Sequence, residues 1–217
     1  AKQQIAAMAG GAARDMPAGP SEVLVIADRT ADATAVCYDL LSQAEHGSDS
    51  QAIVISDDKI LLDEVGGLLA TMAAKLPRAS ILAKSLQHLR RILVDSIDEA
   101  VEISNLYAPE HLILVCDDSG QMANRVTAAG SVFIGPWTPE SLGDYCSGTN
   151  HVLPTYGYAR AYSGLSVNDF LRRMTLQRAS LSGLRYAGPC AATLARAEGL
   201  EAHAMAVDYR LGNAGSN

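Results

Sequence analysis

The feature that most constrains the fold is an alternation along the chain: short runs of β-branched and aliphatic residues recur between longer stretches with helical spacing of apolar side chains. The short runs fall at 22–27, 51–56, 91–94, 111–115 and 131–134. Between the first two, 30–45 carries Val36, Leu40, Leu41 and Ala44 at helical spacing and runs out at Gly47, a suitable C-terminal cap. Further helices are expected at 58–76, 96–107 and 118–129, with Pro77, Pro109 and Gly130 as stop signals. Strands alternating with helices predict an α/β layer architecture with a largely parallel sheet and flanking helices.

After the fifth run the character changes. Residues 136–164, PWTPESLGDYCSGTNHVLPTYGYARAYSG, are rich in Gly, Pro, Ser, Thr and Tyr and have no clean periodicity. Long ordered loops of this kind are usually functional. Beyond Ser163 the pattern turns helical again through Leu211, interrupted by Gly183, the Gly188-Pro189 pair and Gly199. The expected organisation is therefore an α/β domain over 1–163 and a helical C-terminal arm over 164–217.

Composition then narrows the partners. A net charge of −7, from 17 Lys plus Arg against 24 Asp plus Glu, disfavours nucleic acid. Hydrophobic residues at 48% and charged residues at 19% support a buried core, and with only 5% aromatic that core must rest on Ala, Val, Ile and Leu. No apolar run approaches the ~20 residues of a membrane span, so no membrane is expected. The opening residues have neither a signal-peptide pattern nor an initiator Met, and read like the middle of something longer. Cys37, Cys116, Cys146 and Cys190 are scattered without CxxC spacing, which favours reduced thiols and a cytoplasmic location.

There is no GxGxxG after a strand, no GxxxxGK[ST], no HExxH and no GxSxG, which disfavours a P-loop NTPase, a gluzincin or an α/β-hydrolase. What remains is a set of polar residues at strand and helix ends. In SQAEHG, Gln43 and His46 stand three apart and could share one helical face and one ligand, although a plain helix C-terminus explains them too. In YAPEHLILV, Glu110 and His111 precede an apolar strand and could form a proton-transfer pair or a solvated loop pair. The loop GDYCSGTNH holds Asp144, which suits a hard or borderline cation, and Cys146, read as a small buried thiol more readily than a nucleophile. His151 is a packing or loop residue as readily as a ligand, and His88 looks like surface. Glu198 and His203, in EGLEAH, are by themselves solvated helix residues. The spacings alone leave a weak candidate metal set of His46, Asp144 and His203.

The longer strings are more specific. AGPSEVLVIAD, DLLSQAEHGSDSQ, EISNLYAPEHL, AGSVFIG, TPESLGDYCSGTNHVLPTYGYAR and EGLEAHAMAV resemble, in order and over nearly the whole chain, the C-terminal half of histidinol dehydrogenases. The resemblance implies zinc held by Gln43, His46, Asp144 and His203, with the zinc positioning L-histidinol. It implies substrate contacts from Ser21, Gln43, His46, His111, Asp144, Glu198 and His203. His111 would be the base for the alcohol proton and Glu110 the base that activates water, in two successive NAD-linked oxidations through L-histidinaldehyde to L-histidine. The family's principal NAD contacts would lie in an N-terminal half, whether joined or separate, so the cofactor residues are not assigned here. It also implies a homodimer with exchanged C-terminal arms, so that Glu198 and His203 act in the neighbouring site. Two other classes remain: a catalytically silent zinc- or imidazole-binding module, and an unrelated zinc hydrolase built on the same ligands.

Overall fold

Five strands pair side by side in a computed structural model of the chain, which describes residues 2–11, 15–17 and 19–213. In chain order the elements are α1 (Lys2–Ala6), β1 (Glu22–Ala27), α2 (Ala33–Ala44), β2 (Gln51–Ser56), α3 (Lys59–Ala73), α4 (Ala79–Ser85), β3 (Arg90–Leu93), α5 (Ile97–Tyr107), β4 (His111–Val115), α6 (Ser119–Ala123), β5 (Ser131–Ile134), α7 (Glu140–Tyr145), α8 (Leu181–Ala197) and α9 (Glu201–Gly212). The strand order is β3-β2-β1-β4-β5, with every pairing parallel. Parallel strands have both faces covered, and all six residues of β1 are buried. Val23, Val25 and Ala27 pack with α2, α3 and Leu82 of α4. Leu24 and Ile26 point the other way, into a layer with Ala100 and Val101 of α5 and partly buried residues of α6. Each fully buried Leu or Ile contributes ~1.5–3 kcal/mol.

The helices begin where carboxylates cap them. Asp32 accepts from the amides of Thr34 and Ala35, and Asp58 from those of Ile60 and Leu61, so α2 and α3 start immediately after these residues. Helix α2 ends at Ala44, not at Gly47, which has no left-handed backbone and donates its N–H to Ser50 Oγ. The helix expected at 58–76 is α3, which ends at Ala73 before Pro77, and a further short helix, α4, follows that proline. The helix expected at 118–129 shortens to α6 because the Asn105 side chain takes the carbonyl of Arg125 and the N–H of Thr127, groups a continuing helix would use. His88 closes a single 3-10 turn before β3.

After β5 the chain reverses. Gly135 adopts φ +86° and donates its N–H to Leu114 at the carboxyl edge of the sheet. Residues 135–139 then run back alongside Ile113 and Val115, and α7 starts beside the amino end of β4, where Glu140 lies 3.8 Å from His111.

The chain divides into two compact units, Ala1–Phe170 and Leu171–Asn217. The second is a hairpin of α8 and α9 joined at Gly199, which has φ +75°. Residues 171–180, expected to be helical, carry no helix or strand, whereas α8 passes through Gly183 and the Gly188-Pro189 pair. A Cβ on Gly188 would lie 2.9 Å from Val207 Cγ1 of α9, so this glycine permits the close packing of the two helices. All four cysteines are free; Cys37 and Cys116 are buried and Cys190 is exposed. Cys146 is exposed too, contrary to the buried thiol expected, because its loop projects beyond α7. Among the described residues no helix is long and apolar enough to cross a membrane.

Gly130 sits where β5 enters the sheet against the residues preceding β4: a Cβ there would lie 2.5 Å from the Glu110 carbonyl oxygen and 3.1 Å from Leu153 Cβ. Gly130→Ala should therefore destabilise the protein by ~1–3 kcal/mol, whereas Gly67→Ala, in open space on α3, should stabilise it by ~0.5–1 kcal/mol. Thermal unfolding of the two variants gives the comparison, and equal effects would refute the steric assignment of Gly130.

Candidate metal and proton-transfer site

Open α/β sheets commonly bind ligands at the carboxyl ends of their strands. Here the chemically equipped residues gather at the amino ends instead. Glu22 opens β1, His111 opens the neighbouring β4, and Glu110 precedes it. Helix α2 runs back toward this edge, so that Gln43 in its last turn and His46 just beyond its cap arrive here. Helix α7 adds Glu140 and, one turn later, Asp144.

The Glu110–His111 pair is not a solvated loop pair, since the two residues are 6% and 4% exposed. Glu22 secures both members: its N–H donates to Glu110 Oε2 at 2.9 Å, and its carbonyl lies 3.1 Å from His111 Nδ1. A carbonyl can only accept, so Nδ1 carries the proton and Nε2 keeps the lone pair. Nε2 is buried and has no hydrogen-bond partner among the described residues. Burial also lowers the His111 pKa, so the ring is neutral near pH 7 and able to accept a proton. Burial pushes Glu110 up to about 8, a value at which a carboxyl can give or take a proton near neutrality.

Two carboxylates escaped the sequence reading. Glu22 Oε1 accepts the N–H of Tyr156, a residue with left-handed φ of 55°, and so ties down the loop before Gly157. Glu140 is 2% exposed and its Oε1 lies 3.8 Å from His111 Nδ1. The fully buried end of Gln43 faces Glu140, and hydrogen bonding to the carboxylate favours the amide nitrogen on that side, 2.8 Å from Oε1 and 3.1 Å from Oε2; it also lies 3.2 Å from His111 Nδ1, a contact and not a hydrogen bond because Nδ1 carries its own proton. Two sequence signals were available: a charged residue heading an otherwise apolar buried strand, and the i, i+4 spacing of Glu140 with Asp144.

A metal fits this donor set. With its nitrogen on Glu140, Gln43 turns its amide oxygen the other way. His46 is exposed, and its Nδ1 lies 3.0 Å from the Ser42 carbonyl, which leaves Nε2 as the free donor. Ligand atoms of His111, Glu140 and Asp144 lie within 4.8 Å of one another. Imidazole and oxygen donors of this kind suit zinc. Gln43 and His46 are not on one helical face as expected: His46 lies past the helix end and is exposed while Gln43 is fully buried. Ser21 is half-buried immediately before β1, its carbonyl accepting the Gln51 N–H. Glu198 caps the end of α8 and His203 lies in the first turn of α9, both exposed at the same end of the hairpin of the second unit.

A dinucleotide does not fit the carboxyl edge of the sheet. The cavity there is lined by Asp28, Asp57, Asp58 and Asp117 with Arg29 and Lys59. The amides at the starts of α2 and α3 that could cradle a pyrophosphate are already bonded to Asp32 and Asp58.

Known proteins resemble this chain closely. A family model described as histidinol dehydrogenase matches residues 1–211. A histidinol dehydrogenase of Xylella fastidiosa is 57% identical over 214 residues, covering 99% of this chain and 49% of that protein. One of Xanthomonas oryzae pv. oryzae is 58% identical over 212 residues, covering 98% and 49%. The crystal structure of histidinol dehydrogenase from Elizabethkingia anophelis superposes with a TM-score of 0.92 at 49% identity, covering 94% of this chain and 47% of that one. The chain thus spans about half the length of the curated relatives it matches.

Burial raises Glu110 to about 8 and Glu140 to about 9, against an ordinary carboxyl near 4.5 in the unfolded chain. The folded state therefore holds extra protons between these limits, and their contribution to stability is present at low pH and declines as pH rises through them. In metal-free protein, Glu110→Gln should gain stability relative to the parent by ~1–2 kcal/mol between pH 6 and pH 9. Denaturant unfolding at the two pH values measures it; a constant difference would contradict the buried, proton-retaining carboxyl.

Proposed function

The chain belongs to the histidinol dehydrogenase family, and on that premise we propose that it carries the metal-binding and proton-transfer half of a zinc-dependent, NAD-linked oxidation of L-histidinol through L-histidinaldehyde to L-histidine. The observation that carries this reading is the buried Glu110–His111 pair, with His111 Nε2 unpartnered, set beside Gln43 and Asp144 at one edge of the sheet. Gln43, His46 and Asp144 would hold the zinc, and His203 of the hairpin would complete its ligands. Zinc would anchor the substrate's amine and imidazole, and NAD, with contacts supplied by the remainder of the enzyme, would accept hydride in both oxidations.

His111 removes the hydroxyl proton of L-histidinol through Nε2, while its Nδ1–H remains on the Glu22 carbonyl. Glu110 takes a proton from the water that adds to the aldehyde. Ser21, Glu198 and the zinc ligands themselves orient the substrate. In a homodimer with exchanged arms, Glu198 and His203 serve the partner's site, and the exposed Tyr186, Leu194, Met205 and Tyr209 of the hairpin agree with a surface that meets another chain. Four free cysteines agree with a cytoplasmic protein.

A second reading, a catalytically silent zinc- and imidazole-binding module, is favoured by the absence of a dinucleotide cradle at the described carboxyl edge. Zinc-loaded protein given L-histidinol and NAD separates the two. NADH formation supports turnover by this chain, heat of L-histidinol binding without NADH selects the silent module, and failure to bind L-histidinol overturns both. Where turnover is observed, Glu110→Gln should slow aldehyde oxidation ~100-fold or more and alcohol oxidation far less; equal losses would remove the division of labour between Glu110 and His111. Mixing His46→Ala with His203→Ala chains should restore a fraction of zinc sites lost in each alone, and a mixture no better than its components would rule out exchanged arms.

A further inference from the structure

We propose that Glu140 is a positioning residue: its carboxylate fixes the Gln43 amide so that the amide oxygen is presented to the metal, and it stands against His111 on the side away from the lone pair. The inference rests on the metal site proposed above and adds a residue to it. Glu140 is the first residue of α7, one helical turn before Asp144, so the same short helix places both groups on one face. Its side chain is 2% exposed, and its neighbours are the amide nitrogen of Gln43 at 2.8 and 3.1 Å and His111 Nδ1 at 3.8 Å. A cation bound at the site favours the ionised carboxylate, which is acceptor-only, so in the metal-bound state it selects one of the two faces of the otherwise symmetric-looking amide. With both carboxylate oxygens facing the amide nitrogen, the Gln43 oxygen has one direction left. Gln43 itself is fully enclosed.

Outer partners of this kind hold a ligand in its coordinating geometry and typically contribute 10- to 100-fold in metal affinity. His46 receives the equivalent service from the Ser42 carbonyl. The two ligands nearest the end of α2 are then each oriented by one acceptor, a backbone carbonyl for the imidazole and a buried carboxylate for the amide.

The test is a set of zinc affinities measured by chelator competition on the full chain. The proteins are the parent, Glu140→Gln, Gln43→Ala and the double variant, each checked for unchanged circular dichroism. Glu140→Gln is expected to bind zinc ~10- to 100-fold more weakly, and the loss should be absent in the Gln43→Ala background, because the carboxylate acts through that amide. Unchanged affinity in Glu140→Gln overturns the proposal. A loss that is as large with Gln43→Ala as without it also overturns it, since Glu140 would then be a direct ligand in the group with His111 and Asp144. A parent chain that binds no zinc overturns the site itself, a result distinct from either. A second measurement needs no variant: the Gln43 side-chain NH2 of the parent chain should exchange slowly with solvent in nuclear magnetic resonance spectra, and fast exchange at that amide contradicts the pair.

Discussion

The arrangement depends on the pairing of β1 with β4 at their amino ends, where one residue, Glu22, is bonded in three directions. Its N–H goes to Glu110, its carbonyl takes His111 Nδ1, and its side chain takes the N–H of Tyr156. Backbone groups at the start of a strand are free of the ladder on one side and must find other partners. Here those partners are the side chains of Glu110 and His111. The geometry of Glu110 and His111 is therefore set by main chain that is itself locked in the centre of a five-stranded sheet, rather than by a flexible loop. Rigid elements hold a constellation more closely than loops do.

Crowding carboxyls into a buried place is costly unless they are neutral, paired or metal-bound. Glu22, Glu110 and Glu140 all have raised pKa values, each chiefly through loss of solvent. A cation bound among Gln43, His46 and Asp144 would relieve that cost. The end of α2 favours the same outcome, because the C-terminus of a helix carries partial negative charge. The opposite edge has the reverse polarity, with helix N-termini, but Asp32 and Asp58 have already taken their amides. Both edges of the sheet thus have their electrostatic character settled by which end of each helix reaches them.

The strands were legible because a parallel sheet with covered faces needs continuous apolar runs, and 22–27, 51–56, 111–115 and 131–134 coincide with β1, β2, β4 and β5. The helix ends were less so. Nothing local to 118–129 shows that Asn105 will intercept its backbone, and Gly188-Pro189 looks like a break until Val207 is seen packed against the glycine. Of the site, Glu110, His111, Gln43 and Asp144 could be singled out as polar residues in unusual strings. Glu22 and Glu140 carried only the weak signals of a charge heading an apolar strand and of i, i+4 spacing with Asp144, since their importance lies in burial and in partners 88 to 134 residues away or on another helix.

By itself, then, the sequence determined the layered parallel sheet, the membership of a family and the residue types available for metal binding and proton transfer. These follow from periodicity and from long strings of specific polar residues. Tertiary structure alone decided that the candidate residues gather at the amino edge, that His111 keeps its lone pair on Nε2, and that Glu22 and Glu140 lie among them. Each of these depends on which groups are removed from water together, and burial is a property of the packed chain, not of any segment within it.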